Sequence, residues 1–388
     1  MTEWQTKKVG ELAETQLGKM LNKNKQTGKH SLPYLRSLNV QWGEIVLSDL
    51  NQMDIFPGEY GKFTLRPGDL LICEGGESGR AAIWNNDLQM GFQNALHRVR
   101  AGSEISNKYL VYYFEWLVKN QLIEHLFNGV TIKHFPQENL RSVEISYPTL
   151  SEQEKIVEIL EDHLSRLDAA LADVKQAKLK ATQFRRSLLQ AAFTGNLTGN
   201  RTGLKTEWQN KTLGELVSIK TGKIDANQAV ENGKYPFFTC AREISRIDDA
   251  PYEGKVVLVA GNGDLNVKYY EGKFNAYQRT YFLTSLDESN ALPKYIYFFM
   301  EHYLQILRTQ SIGTTVKYIK MENLSDANIP FPTIVEQHKI VELLEDHLSR
   351  LDASVAIADA MEKQSASLRR SLLQAAFTGQ LIKEVASV

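Results

Sequence analysis

The feature that most limits what this chain can fold into is an internal repeat. Pro148 to Leu197 align without a gap on Pro332 to Leu381, at a constant offset of 184 residues (148 to 332). The run Glu161-Asp162-His163-Leu164-Ser165-Arg166-Leu167-Asp168 returns unchanged from Glu345 to Asp352, and Arg185 to Gly195 returns unchanged from Arg369 to Gly379. The stretches ahead of these segments match more loosely: Gly18-Lys19 answers to Gly222-Lys223, Pro67 to Ile72 to Glu253 to Leu258, Asn94 to Arg98 to Asn275 to Arg279, and Gly129 to His134 to Gly313 to Tyr318. Self-similarity on this scale means a duplicated structural unit. The 388 residues therefore read as globular domain, helical segment, globular domain, helical segment.

Each repeated segment predicts a long helix. A proline is followed by Thr149 and Glu152, or by Thr333 and Glu336, the spacing of a capping box. Leu160, Leu164, Leu167, Leu171, Phe184 and Leu188 then fall mostly at alternating steps of four and three, and Leu344, Leu348, Leu351, Val355, Leu368 and Leu372 repeat the phase. Gly195 and Gly379 stand where helices stop. At 1.5 Å per residue a helix over 151–192 is about 63 Å long, so two matched seams are expected to pair antiparallel rather than pack only on their own domains.

The preceding regions read as mixed α and β. Gly68 to Cys73, Gly254 to Val259 and Tyr235 to Thr239 are β-rich runs bounded by turn residues, while Tyr109 to Phe127 and Lys294 to Thr309 have helical, aromatic-rich spacing. The polar, Gly-rich stretch from Thr198 reads as a linker. The expected architecture is α+β: two globular mixed α/β domains separated by two long helices in an antiparallel coiled coil, with a pseudo-twofold internal repeat. The boundaries are 1–147, 148–197, a linker over 198–204, 205–331 and 332–388.

Composition narrows the partners. With 45 Lys and Arg against 46 Asp and Glu, no global basic field draws in nucleic acid or anionic lipid, so any polyanion contact is local or shared with a partner. Cys73 and Cys240 are too few for a disulfide framework, suit a reducing cytosol and are expected buried. Neither a signal-peptide core nor an apolar stretch long enough for a bilayer is apparent, which predicts a cytoplasmic protein without membrane contact.

Catalytic signatures are missing. Gly75-Gly76-Glu77-Ser78-Gly79-Arg80 lacks the Gly-Lys-Ser/Thr ending of a phosphate loop and has its second glycine one place early for a nucleophile elbow. Gly261-Asn262-Gly263 follows a strand but lacks a third glycine, and no Asp/Asn-Pro-Pro-aromatic run of an amino-methyltransferase occurs. Metal-ligand spacing is absent, so no metal or resident cofactor is expected. Asp248-Asp249 with Glu253 and Lys255 resembles a metal-dependent nuclease arrangement, yet the matching Arg66-Pro67-Gly68-Asp69 has no such lysine, and a charged β-turn accounts for it.

Binding chemistry is better represented. DNA reading requires phosphate anchors plus side chains that reach base edges, and both globular regions offer glycine-flanked loops rich in them. In the first these are Lys19, Lys23, Lys25, Lys29, Arg80, His97, Arg98, Thr131, Lys133 and His134. In the second they are Lys223, Asn262, Lys268, Gln278, Arg279, Thr314, Thr315, Lys317 and Tyr318. Nearly identical helices with domains that keep a frame but change their loops imply one kind of partner docked twice and two different ligands read by one scaffold.

The Pro-x-x-x-Glu-Gln openings (Pro148 to Gln153, Pro332 to Gln337), the paired helices and their Arg-Arg-Ser-Leu-Leu-Gln-Ala-Ala-Phe-Thr-Gly ends together resemble the specificity (S) subunits of type I DNA restriction-modification enzymes over essentially the full length. The resemblance implies two target recognition domains that each bind half of a split, asymmetric DNA sequence. It also implies a helix pair that serves as spacer and as docking region for two methyltransferase (M) subunits. S-adenosylmethionine, ATP and Mg would then belong to partner subunits: the M subunits methylate adenine N6 and restriction (R) subunits add ATP-dependent cleavage, while this chain has no catalysis of its own. Two other readings stay open on the residues alone, a stand-alone metal-dependent DNA endonuclease and a coiled-coil scaffold that does not touch DNA.

Overall fold

The computed structural model describes residues 4–22, 26–131, 133–198 and 208–381. Lys23, Lys25 and the linker beyond Thr198 lie outside them. The chain divides into two compact units, Met1–Val174 with Ala360–Val388, and Lys175–Asp359.

In the first unit an antiparallel sheet runs in the order Ala13–Leu17, Leu96–Ala101, Asp69–Cys73, Ala81–Trp84, beside a three-stranded sheet of Asn51–Asp54, Ser31–Leu35 and Gly91–Phe92. A short ribbon pairs Gln5–Lys8 with Glu144–Tyr147, and the helix Asn107–Lys119 covers one face of the larger sheet. That helix was expected to reach Phe127. It stops at Lys119 because Gln121 adopts φ +58° and the amides of Gln121 and Leu122 turn back to the carbonyls of Val118 and Leu117, a Schellman closure on a non-glycine residue.

The second unit has one six-stranded sheet, Val217–Thr221, Thr280–Ser285, Tyr252–Ala260, Val267–Ala276, Tyr235–Phe238, Ser245–Ile247, a ribbon of Gln209–Thr212 with Asn328–Phe331, and the helix Pro293–Gln310. The two domains share a register. Leu17 faces His97 and Leu70 faces Val99 in the first, as Thr221 faces Tyr281 and Val257 faces Leu283 in the second.

Both long helices form, over Leu150–Phe193 and Ile334–Phe377, 44 residues each. The first begins with the expected box: Thr149 Oγ1 accepts from the Glu152 amide, and the Glu152 carboxylate accepts from the Thr149 amide. Behind it sits a residue type the periodicity gave no role. Gln153 is fully buried, donating to the carbonyls of Glu104 and Pro148 and accepting from the Ser106 amide, each at 2.9 Å. Gln337 repeats this with Asn290, Pro332 and Leu292. A buried amide satisfied on both its oxygen and nitrogen bolts each helix start to its own domain.

Each unit is completed by the end of the other long helix. In the first unit Phe377 lies 5.0–5.6 Å from the rings of Tyr109, Tyr113 and Trp116, and Ala376 and Leu373 are buried in the same core. In the second unit Phe193 lies against Tyr295, Phe299 and His302, with Ala192 and Leu189 beside it. The helices pair antiparallel within the units. In the second, Lys178 meets Asp359 at 2.7 Å and Arg185, seven residues on, meets Asp352, seven residues back, at 3.0 Å.

The seam is less regular than its spacing implied. Leu160, Leu164, Leu188, Leu344 and Leu348 are buried in cores shared with the domain helices. Leu167, Leu171, Leu351, Val355 and Leu372 are half-buried, and Phe184 and Leu368 remain 50% and 48% exposed. In the first unit the small residues Ala170 and Ser365 leave an apolar gap of about 170 Å³ beside Leu171 and Leu368. Burial follows the domains, so knobs-into-holes packing is not continuous.

Candidate nucleic-acid interface

At one end of each domain three loops meet. In the second domain the Gly261 amide donates to the Arg279 carbonyl at 2.8 Å, the Ile319 amide to the Gly261 carbonyl at 2.9 Å, and the Gly263 amide to the Lys317 carbonyl at 2.8 Å. The Tyr281 hydroxyl ties to the Ile319 carbonyl at 3.2 Å. Gly313 sits at φ +107°, where a Cβ would lie 2.3 Å from the Val316 carbonyl oxygen, so the late loop needs glycine for its own turn. These loops enclose a cleft of about 290 Å³ lined by Gly261, Gln278, Arg279, Tyr281, Tyr318 and Ile319.

The first domain has the same frame with different contents. Glu74 replaces Gly261, its amide bonded to the Ala95 carbonyl at 2.8 Å and its carbonyl to the Phe135 amide. His134 stands for Tyr318, and its Nδ1 meets the Glu74 carboxylate at 3.2 Å. Ser78 Oγ donates to the Lys133 carbonyl and holds the loop 74–79 against the late loop.

Several expected contact residues belong to this end of the domains. Gln278, Arg279, Thr314, Thr315, Lys317 and Tyr318 are exposed there, with Asn262 half-buried beside them, and Lys223 is exposed on the turn that follows Val217–Thr221. Thr131, Lys133 and His134 are exposed in the first domain, Lys133 in an ion pair with Glu124 at 2.9 Å, and Lys29 is exposed on a separate loop.

Others are structural. His97 is fully buried, its Nε2–H donating to the Phe135 carbonyl at 2.7 Å, and burial holds its pKa below the usual imidazole value. Arg98, also buried, donates to the carbonyls of Gly61, Lys62 and Thr64 and to Glu14. Arg80 donates to the Ser37 carbonyl and to Glu77, and Lys19 is turned inward to Glu59 over Phe56. Lys268 donates to the Ala241 carbonyl and the Asn266 side chain, and burial lowers its pKa. Cys240, expected buried beside Cys73, is only partly so.

The cause of the error at His97 and Arg98 is alignment. The Asn-Ala match set Asn94 to Arg98 against Asn275 to Arg279, but strand register sets His97 against Tyr281 and Arg98 against Phe282, leaving Ala95 opposite Arg279. The turn amides fix the same register: Gln93 donates to the Leu35 carbonyl and Leu96 to the Gln93 carbonyl, as Tyr277 donates to Phe238 and Thr280 to Tyr277. Tyr281 and Glu74 had not been singled out; His97 and Tyr281, bonded to the equivalent carbonyls of Phe135 and Ile319 at the end of each late loop, are structural counterparts.

The nuclease-like residues do not assemble. Lys255 pairs with Glu288 at 2.9 Å and Asp248 accepts from the Lys234 amide, and among the described residues no group of three or more His, Cys, Asp or Glu is placed to hold a metal ion. No described helix is long and apolar enough to cross a membrane.

A family model described as type I restriction modification DNA specificity domain matches residues 1–180 and 205–359. The EcoDI type I restriction enzyme specificity subunit of Escherichia coli is 34% identical over 181 residues, 47% of this chain and 40% of that protein's length. The EcoBI specificity subunit of the same organism is 24% identical over 363 residues, covering 81% of this chain and 74% of that one. Among solved structures, a chain from a study of complex assembly and conformational transition of the type I R-M system superposes with a TM-score of 0.78 at 18% identity, over 98% of this chain and 99% of that one. The HsdS subunit of Thermoanaerobacter tengcongensis gives 0.58 at 17% identity, over 98% of both.

Proposed function

The chain belongs to the type I restriction-modification DNA specificity family, and from that premise we propose that its two domains each read one half of a bipartite, asymmetric target in double-stranded DNA. The observation that carries this is the pair of loop clusters. One backbone frame is held by matching amide-to-carbonyl bonds in both domains, while the side chains on it differ: Ala95, His134 and Glu74 in one, Arg279, Tyr318 and Gly261 in the other. A conserved frame with exchanged side chains on exposed loops is how one scaffold serves two ligands.

Two M subunits are proposed to dock on the helix pair. Phe184 and Leu368 occupy equivalent positions of the repeat and are both about half exposed, 50% and 48%, so each unit offers the same apolar foothold. The M subunits bring S-adenosylmethionine and the adenine N6 chemistry, and R subunits, joined through the assembly, bring ATP and Mg. This chain supplies address and spacing and carries out no catalysis. A complex of this kind works in the cytoplasm, and its modest charge leaves part of the positive clamp around DNA to the partners.

The test is co-expression with candidate M subunits followed by mapping of methylated adenines in the host genome. A split, asymmetric motif is expected. Methylation without sequence preference, or at one uninterrupted motif, counts against the reading.

A further inference from the structure

The cleft of the second domain contains an arginine that the fold does not use. The Arg279 carbonyl accepts from the Gly261 amide, but its guanidinium is exposed and has no hydrogen bond or ion pair among the described residues. The counterpart in the first domain, Ala95, makes the same backbone bond to Glu74 at the same 2.8 Å. The scaffold therefore constrains the main chain at this position and leaves the side chain free.

The surroundings favour a nucleobase edge. Gly261 keeps the cleft open, since a Cβ there would lie 2.3 Å from the Arg279 carbonyl oxygen and 2.9 Å from the Tyr281 ring. The equivalent space in the first domain holds the Glu74 and His134 side chains. Gln278 stands beside Arg279, held loosely to Asp225 at 3.4 Å, and Tyr318 and Tyr281 line the rest. A planar guanidinium presents two parallel N–H groups that match the O6 and N7 acceptors of guanine in the major groove. Phosphate contact has its own candidates in the exposed Thr314, Thr315 and Lys317.

We propose that Arg279 reads a guanine in the half-site bound by the second domain, its guanidinium donating to O6 and N7 of that base within the Gly261–Gln278–Tyr318 cleft. This rests on the DNA-reading function proposed above. Position 95/279 is then a specificity position common to both domains.

The experiment uses the full chain in complex with its M subunits, as wild type and as Arg279→Ala. Methylated adenines are mapped genome-wide, and binding to the mapped duplex is measured. With wild type, one half-site contains an obligate G·C pair; with Arg279→Ala, that position accepts other bases with discrimination reduced about 10- to 100-fold, and the other half-site is unchanged. In a second measurement needing no variant, a duplex carrying 7-deazaguanine at that position, which lacks the N7 acceptor, binds the wild-type complex at least several-fold more weakly. An unchanged motif, a uniform loss across all sequences with a shallower salt dependence, or indifference to 7-deazaguanine overturns the role of Arg279 and leaves the DNA-reading function standing. Absence of any sequence-specific methylation by the wild-type complex overturns both.

Discussion

Arg369, near the end of the second long helix, donates to Glu115 of the first domain's helix at 2.8 Å and also reaches Asp168 at 3.3 Å. Arg185 stands in the same relation to Glu301 and Asp352, both at 3.0 Å. Glu115 is almost fully buried, so the arginine is what makes a charge tolerable at that place. The repeated Arg-Arg-Ser-Leu-Leu-Gln-Ala-Ala-Phe-Thr-Gly run, read from sequence alone as seam and docking surface, is also the plug that completes each unit's core.

Arg369→Ala should destabilise the first unit by about 2–3 kcal/mol, because it strands the Glu115 carboxylate. Adding Glu115→Gln should return about half of the loss. Chemical denaturation of the two variants checks this; an Arg369→Ala protein as stable as wild type would show that the pair contributes nothing.

Gln337→Ala should cost about 2 kcal/mol, since it leaves the Leu292 amide and two carbonyls without their partner. Gln153→Ala should act equally in the first unit. Exposed Gln228→Ala is the control, with less than about 0.5 kcal/mol expected in the same melts.

Acid should weaken the first unit through His97. Its Nε2–H already serves the Phe135 carbonyl, Nδ1 has no partner, and burial lowers its pKa in the folded state. The unfolded chain, with an imidazole pKa of about 6.5, then binds more protons than the folded chain as pH falls. Stability attributable to this group is full above about 6.5 and is lost progressively below it. Thermal melts between about pH 5.5 and 7.5 should show a steeper fall for wild type than for His97→Gln; parallel curves would contradict the assignment.

A protease site placed between Thr198 and Trp208 should cut the chain without separating it. Each unit contains residues from both sides of the cut: the first ends with Ala360–Val388, and the second begins at Lys175. Native mass spectrometry of the nicked protein at micromolar concentration should find one species of the intact mass. Separate fragments would mean that the docked helix ends do not hold.

Four residues inserted in each long helix, between Leu171 and Lys178 and between Asp359 and Leu368, add about 6 Å to each. If the helices set the distance between half-sites, the preferred DNA spacer lengthens by about two base pairs. Methylome mapping reads the spacer directly, and an unchanged spacing would remove the helices from that role.

The duplication, both 44-residue helices, the capping box of the first and the mixed character of the domains were legible in the residues; at the second helix Thr333 Oγ1 accepts from the Glu336 amide, but the Glu336 carboxylate accepts from Thr198 and Trp208 instead. Those features depend on local spacing and on comparing one half of the chain with the other. A helix period, a Thr-x-x-Glu box or a glycine after the last turn acts over a few residues and leaves its mark in sequence. The family followed from the same repeated words. The candidate contacts divided in two. The late-loop residues Thr314 to Tyr318 are exposed on a loop whose Gly313 turn is visible in the chain, whereas Arg98, Arg80, Lys19 and Lys268 carry the right chemistry but spend it on acceptors of their own domain.

Sequence by itself determined the two-fold plan and the family. Only the tertiary structure decided which cations face outward, that Ala95 rather than Arg98 is the counterpart of Arg279, and that each domain is completed by the other repeat's helix end. The reason is physical. Strand register and the burial of Phe193 and Phe377 arise from contacts between residues far apart in the chain, and their energies depend on geometry that no local pattern encodes.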